Sequence, residues 1–185
     1  MINVTELKAG NYFLEDGNIY QVLDTLLNKT AMRKMVVKVK IKNVRTRAIS
    51  EISRNSGYMI DVIRLDKSKM LYLFESGDML TFMDQETYEQ IEVPKDMLDG
   101  KDKFLKGNEE LDITMYEGEV LEITLPAKVA LQIVECEPAV KGDTVNAARK
   151  EATLETGLKI KVPLFIENGE TVLVRTDTGE YDGRA

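Results

Sequence analysis

The sequence predicts an all-β protein, and three observations support this. Short apolar stretches alternate with charged residues, as in MVVKVKIK from Met35 to Lys42. Turn-forming pairs such as Asp16-Gly17 separate these stretches at short intervals. A single segment, from Pro94 to Phe104, is predicted to be helical, with its proline near the start. Short strands with frequent turns are typical of barrels or sandwiches, and not of alternating strand–helix units.

The strands can be placed from their patterns. In Met35–Lys42, Val37, Val39 and Ile41 share one face and the three lysines share the other. Hairpins are expected where apolar runs flank a glycine turn, in NYFLEDGNIYQVLDTLL, MLYLFESGDMLTFMD and DITMYEGEVLEITLP. Further strands are expected in TYEQIEV and at residues 47–53, 58–65, 129–136, 158–165 and 171–176, with turns at Asn168-Gly169 and Thr178-Gly179.

Charge is distributed unevenly along the chain. Residues 1–63 hold ten Lys and Arg against six Asp and Glu, residues 64–125 hold seven against sixteen, and residues 126–185 hold eight against ten. These breaks predict three small barrels, with domains at 1–64, 65–126 and 127–185. No Gly-, Ser- or Pro-rich linker separates them.

The first third contains a basic run although the net charge of the chain is −7. From Lys29 to Arg54 there are nine basic residues and one acid, Glu51. Because screening acts over about 8 Å at physiological salt, a nearby phosphate would feel this run more than the distant acids. The run therefore indicates phosphate contact at a hairpin tip. A lysine-rich strand edge that discourages aggregation is the alternative interpretation.

The composition argues against most enzymatic chemistry. The chain has no His and one Cys, Cys136, so it lacks a Ser/His/Asp triad, a Cys/His pair and a His-containing zinc site. We therefore expect no catalytic residue, metal or cofactor. A lone Cys suits a reducing cytoplasm, no apolar run approaches a membrane span, and the start MINVTELKAG does not resemble a signal peptide.

Carboxylates are frequent in the central third and raise the question of a metal or acid–base site. We interpret them as a solvated acidic face. The residues concerned are Glu86, Glu89, Glu92, Glu109, Glu110 and Asp112.

The segment from Lys150 to Arg184 closely resembles the C-terminal signature of the elongation factor P family. The matching positions are Ala152, Leu154, Thr156-Gly157, Val162-Pro163, Phe165, Gly169-Glu170, Val172, Val174, Thr176, Tyr181 and Arg184. Three other stretches agree: LKAGNYFLEDGNIYQVLD, TFMDQETYEQIEV and KGDT at 141–144. The resemblance therefore covers the whole chain.

The resemblance implies an N-terminal SH3-like, KOW-type barrel followed by two OB-fold barrels, in a row with a tRNA-like outline. It implies a monomeric translation factor that binds the ribosome between the P and E sites when consecutive prolines stall synthesis. The partners implied are the ribosome, peptidyl-tRNA, rRNA and mRNA at the E site. Such a factor positions the tRNA while the ribosome supplies the chemistry.

The family's hairpin tip corresponds to residues 29–34, and here this sequence departs from the common form. The family loop reads Pro-Gly-Lys-Gly with an extended lysine or arginine, whereas this chain has Thr30-Ala31-Met32-Arg33, flanked by Lys29 and Lys34. Met32 falls at the modified position, and a shift of one residue would place Arg33 there instead. The lysine modification does not carry over. An unbranched thioether can enter a tight cleft without desolvating a charge, but a loop residue without a role is the alternative.

Two other sites carry over from the family. Gly142, Asp143 and Thr144 correspond to a turn that reaches the E-site codon, and such side chains can bond to single-stranded RNA. Without the resemblance they would be an ordinary β-turn. Tyr181 and Arg184 are candidate RNA contacts, or residues that close the last barrel.

Two rival functions stay open. One is a generic OB-fold protein that binds single-stranded RNA, although only 6% aromatic residues, no Trp and an acidic central third argue against it. The other is an elongation factor P-like paralogue.

Overall fold

The computed structural model describes residues 1–28, 35–138 and 149–185. These residues form sixteen β-strands and three short 3₁₀ turns, and they contain no α-helix. The strands belong to one six-stranded and two five-stranded sheets. The prediction of an all-β protein is therefore confirmed. Across the described ranges, no helix has the length and apolar character needed to cross a membrane.

The first sheet has the strand order β1-β6-β2-β3-β4-β5. Its strands are β1 (Ile2–Asn3), β2 (Tyr12–Glu15), β3 (Asn18–Asn28), β4 (Val36–Asn43), β5 (Ile49–Asn55) and β6 (Met59–Ile63). Val37, Val39 and Ile41 are buried, as their alternation with lysines predicts, and they pack with Phe13 and Val22 in one core. Burial of one face therefore fixes the register of β4.

The turn between β2 and β3 has a specific backbone requirement. Asp16 and Gly17 have φ values of +51° and +75°, the combination of the mirror-image turn that suits a tight hairpin. The Asp-Gly signal in the sequence is therefore confirmed.

Strands β3 and β4 pair along the arm that leads to the predicted hairpin tip. Pairing continues from Tyr20 opposite Asn43 to Asn28 opposite Val36, with one irregularity between Val22 and Asp24. The predicted tip, residues 29–34, lies outside the described residues.

The second and third sheets share one topology. The second comprises β7 (Asp66–Ser76), β8 (Met79–Asp84), β9 (Gln90–Pro94), β10 (Glu110–Tyr116) and β11 (Glu119–Thr124), and the third comprises β12 (Lys128–Cys136), β13 (Arg149–Leu154), β14 (Lys159–Pro163), β15 (Thr171–Arg175) and β16 (Tyr181–Arg184). The orders are β11-β10-β7-β8-β9 and β14-β13-β12-β15-β16. In both, the first strand lies between the second and the fourth. A five-stranded antiparallel arrangement of this kind fits the expected OB-fold.

Sequence patterns missed β13 and β16. β13 begins with Arg149, Lys150 and Glu151, so its charged start hides the alternation that buries Ala152 and Leu154. β16 has four residues and includes Gly183, which weakens any strand signal. Both strands are evident only from their pairing, β13 with β12 and β14, and β16 with β15.

The predicted helix from Pro94 to Phe104 is wrong. Pro94 ends β9, and the remainder forms two 3₁₀ turns, Lys95–Leu98 and Lys101–Phe104. Asp99 and Gly100 separate these turns with φ values of +49° and +78°. Two successive left-handed residues cannot continue a right-handed helix. Phe104 at the end of this segment packs into the core of the third sheet.

The chain divides into two compact units, residues 1–67 with 114–122, and residues 68–113 with 123–185. The first therefore contains the six-stranded sheet together with the end of β10, the turn and most of β11. The domain limits expected at residues 64 and 126 stay a prediction.

Neighbouring residues on β12 provide a test of the register. Ile133 is buried, with 1% exposure, and Val134 is 54% exposed. Ile133→Ala should lower the free energy of unfolding by roughly 3 kcal/mol because it removes core packing and leaves a cavity. The control Val134→Ala should cost under about 0.5 kcal/mol. Urea unfolding followed by circular dichroism would measure both. Equal costs would contradict this register.

Candidate nucleic-acid interface

The solvent face of β4 carries Lys38, Lys40 and Lys42. These lysines alternate with the buried valines and isoleucine, so the sheet holds them on one surface. Lys38 Nζ lies 3.3 Å from Glu51 Oε1 on β5. Lys40 is exposed and stands between Asp24 and Glu51 in the register. The lysine face predicted from the sequence therefore exists, with carboxylates beside it.

Arg45 follows β4 and is held by a distant part of the chain. Its Nε and Nη2 donate to the two carboxylate oxygens of Glu119 at 2.8 and 2.7 Å, and its Nη1 donates to the Gly17 carbonyl at 2.8 Å. The hydrogen bond from Arg45 lowers the pKa of Glu119 below its ordinary value. This guanidinium has three of its donors engaged within the protein.

Arg54 on β5 has a similar fixed environment. Its Nη2 donates to both carboxylate oxygens of Glu15 at 3.1 and 3.0 Å. The Tyr58 hydroxyl donates to the same carboxylate at 3.0 Å, and the guanidinium carbon lies 5.1 Å from the Tyr58 ring centroid. Hydrogen bonding to Glu15 is the main cause that raises the pKa of Arg54.

The basic run is therefore weaker on the described strands than its sequence suggests. Lys38, Arg45 and Arg54 each contact a carboxylate. Sequence reasoning missed this because Glu119 and Glu15 are far from their partners along the chain. Lys29, Arg33 and Lys34 belong to the tip, outside the described residues.

The predicted codon-facing residues Gly142, Asp143 and Thr144 also lie outside the described residues, in the β12–β13 connection. Its two ends are fixed by the ladder. The Glu137 N–H donates to the Glu151 carbonyl at 3.0 Å, and Arg149 stands opposite Pro163 on β14. In OB-folds, the loop between the first two strands is one of the loops that bind oligonucleotides.

Tyr181 and Arg184, the other candidate RNA contacts, both lie on β16 but differ in their surroundings. Tyr181 is half-buried and packs against the core of the third sheet. Arg184 is largely exposed, with its Nε 3.0 Å from Glu170 Oε2 and its guanidinium carbon 5.0 Å from the Phe165 ring centroid. Arg184 is therefore accessible to a ligand, and the described contacts of Tyr181 are packing contacts.

The acidic residues of the central sheet do not form a metal site in the described part of the chain. No group of three or more ligating side chains is found there. An open groove of about 480 Å³ is lined in part by Glu109, Glu110 and Asp112, and burial raises the pKa of Glu109. Asp84 has a structural role, since it accepts from the Glu86 and Thr87 N–H groups, which lowers its pKa.

Comparison with known proteins accounts for the whole chain. Residues 3–60 match the profile "Elongation factor P (EF-P) KOW-like domain", residues 65–123 match "Elongation factor P (EF-P) OB domain", and residues 129–184 match "Elongation factor P, C-terminal". The chain belongs to the elongation factor P family. Elongation factor P of Mycoplasma mycoides subsp. mycoides is 43% identical over 184 residues, covering 100% of both chains. That of Metamycoplasma arthritidis is 42% identical, also over 100% of both chains.

Two solved structures resemble this chain in fold. The eukaryotic translation initiation factor 5A from Methanococcus jannaschii aligns with a TM-score of 0.55 and 26% identity, over 67% of this chain and 93% of that one. An initiation factor 5A family protein from Naegleria fowleri aligns with a TM-score of 0.50 and 13% identity, over 67% and 96%, and supports the fold alone. Elongation factor P and these proteins therefore share a β-barrel architecture.

The Arg45–Glu119 pair predicts a measurable pKa change. Arg45→Ala should raise the pKa of Glu119 towards its ordinary value, because the hydrogen bond that lowers it is lost. Since the folded pKa is lowered, the stability from this pair is present above the ordinary carboxyl pKa and is lost as the pH falls through the lowered one. Carbon-13 NMR titration of Glu119 would measure the shift.

A matched control is Lys40→Ala, which removes an exposed cation from the same sheet without touching Arg45. It should leave the Glu119 pKa unchanged. An identical shift in both variants would mean that general charge, and not this hydrogen bond, lowers the pKa.

Proposed function

We propose that this protein binds the ribosome between the P and E sites and promotes peptide-bond formation when consecutive prolines stall synthesis. It acts by positioning the peptidyl-tRNA. The observation that carries this proposal is the agreement with the elongation factor P family over the full chain, at 43% identity to one relative. The proposed partners are the ribosome, peptidyl-tRNA, rRNA and mRNA at the E site, met in the cytoplasm by a monomer.

The β3–β4 hairpin is the proposed arm of the factor. β3 has eleven residues, which extend over about 36 Å at 3.3 Å per residue. Its last residues, including the exposed Leu26 and Leu27, remain in the ladder up to Asn28 opposite Val36. In this proposal, the paired strands carry the six residues from Lys29 to Lys34 into the ribosome.

The contribution of the protein is orientation, and we propose no enzymatic step. With no His in the chain, Ser/His and Cys/His nucleophile pairs are missing. Holding two reactants in a productive geometry can lower a reaction barrier by several kcal/mol, because the entropy of alignment is lost on binding and not in the reaction step. In this proposal the effect of positioning is largest at the consecutive prolines at which synthesis stalls.

The C-terminal barrel supplies the second anchor in this proposal. Gly142, Asp143 and Thr144 belong to the connection between its first and second strands, a ligand-binding loop of OB-folds. Asp and Thr side chains can bond to bases and ribose hydroxyls of single-stranded RNA. In this proposal the N-terminal tip contacts the peptidyl-tRNA and this loop contacts the mRNA.

The first functional prediction concerns specificity. The purified protein should speed translation of a reporter with a run of prolines and leave a proline-free control unchanged. The double variant Asp143→Ala, Thr144→Ala should weaken this rescue several-fold because hydrogen bonds to RNA are lost.

The same dipeptide at Asp177 and Thr178 provides the matched control, since it forms another exposed turn of the same barrel. Its replacement by two alanines should leave the rescue intact, with thermal unfolding measured for both variants. An equal effect of the protein on both reporters would favour a generic RNA-binding protein. Full rescue by the Asp143/Thr144 variant would reject the codon-facing role.

The second functional prediction separates charge from shape at the tip. Lys29→Ala and Arg33→Ala should each weaken ribosome binding, more at low salt than at high salt, and each lost phosphate contact should reduce the salt slope by about one. Met32→Ala should instead slow proline bond formation with little loss of binding, because an apolar side chain would act by local packing. Equilibrium binding and single-turnover kinetics would distinguish the two effects.

If Met32→Ala changed neither ribosome binding nor the rate of proline bond formation, Arg33 would be the better candidate for the functional residue of the tip. If neither Met32→Ala nor Arg33→Ala changed ribosome binding or the rate of proline bond formation, the loop backbone would be responsible for the positioning.

A further inference from the structure

Phe165 is an exposed aromatic residue held in a fixed position in the C-terminal barrel. Its exposed fraction is 62%, although Ile166 next to it is fully buried. The Ile166 N–H donates to the Pro163 carbonyl at 3.2 Å, so a tight turn follows β14. Because Ile166 is anchored in the core, this turn forces the Phe165 ring outward. The exposure is therefore built into the local backbone.

A network on one side of the ring fixes its cation partner. Arg184 lies with its guanidinium carbon 5.0 Å from the ring centroid. Glu170 holds this guanidinium through Nε at 3.0 Å, and its other carboxylate oxygen accepts from the Glu167 N–H at 3.0 Å. Arg184 is thus positioned by a carboxylate that is itself fixed. The Phe165 ring is thus exposed to solvent with a positioned cation beside it, so the cost of ordering it on binding is small.

The pair lies at the end of the barrel from which the β12–β13 connection leaves. Cys136, the last residue of β12, directs its thiol to the Ile166 carbonyl at 3.8 Å. Arg149, the first residue of β13, stands opposite Pro163. Both strand ends that carry the connection therefore adjoin the turn that displays Phe165. An OB-fold commonly combines such loops with exposed aromatic side chains to bind single-stranded nucleic acid.

Charge favours one kind of ligand at this surface. Glu167 and Glu170 lie beside the pair, and Glu170 already holds Arg184, so the surface disfavours an ionic contact with a phosphate. An aromatic ring carries no net charge and can stack on the base of a nucleotide, which is flat and uncharged. We propose that Phe165, backed by Arg184, is a stacking platform for one unpaired nucleobase of the ribosome–mRNA complex. This proposal rests on the function proposed above.

Binding of the full-length protein to ribosomes stalled at a proline run tests the platform. Phe165→Ala and Phe165→Leu should both weaken binding roughly tenfold, because leucine restores apolar area but not an aromatic face. Phe165→Trp should bind within about twofold of the unchanged protein, since a larger aromatic face also stacks. The salt dependence should stay the same in all three, because no ionic contact is removed.

The matched control is Phe74→Ala, which removes an exposed phenylalanine, 54% exposed, on β7. It should leave binding unchanged. Thermal unfolding of each variant would show that the barrel is intact. Unchanged binding of Phe165→Ala, or full binding of Phe165→Leu, would overturn the platform. If the unchanged protein fails to bind, the proposed function fails and the platform with it. If the Asp143/Thr144 variant is weakened and Phe165→Ala is not, the platform alone fails.

Photo-crosslinking identifies the partner directly. With p-benzoylphenylalanine in place of Phe165, the expected product joins the protein to a nucleotide of rRNA or mRNA. A crosslink to a ribosomal protein in place of RNA would overturn the proposal of a nucleobase.

Discussion

In each sheet one face of the strands is buried in a small core of largely branched aliphatic side chains, and the placement of the described candidate binding residues depends on this burial. On β4, Val37, Val39 and Ile41 face inward, so a slip of one residue would bury lysines without partners. The free-energy cost of burying an unpaired ammonium exceeds the net folding stability of a small barrel. The register is thus strongly determined. It holds Asn28 opposite Val36, and with them the base of the hairpin tip.

The fold brings carboxylates to several basic residues, and this has consequences for binding. Glu51, Glu119 and Glu15 engage Lys38, Arg45 and Arg54. A cation that already contacts a carboxylate attracts phosphate less strongly, so this part of the first sheet is less basic than the sequence suggests. Together with a chain charge of −7, this disfavours indiscriminate binding to RNA. The proposed function therefore depends on RNA contacts at the predicted tip and at the loops of the last barrel.

Local chemistry explains which parts of the structure the sequence could predict. The turn at Asp16-Gly17 and the buried face of β4 depend on neighbouring residues, so both were predictable. The helix expected from Pro94 to Phe104 failed because Asp99 and Gly100 take left-handed conformations that composition does not reveal. The Arg45–Glu119 bond joins residues 74 positions apart, beyond any local pattern. The Phe165–Arg184 pair likewise depends on β14 and β16 meeting at one barrel end.

The most direct test of positioning is the single-turnover rate of bond formation between two prolines on purified ribosomes, measured over a range of temperatures at saturating protein. Acceleration by orientation should appear mainly as a less unfavourable activation entropy, and the rate with phenylalanine as acceptor should change little. Equal acceleration for both acceptors, or no acceleration of the proline step at saturating protein, would contradict the proposed role.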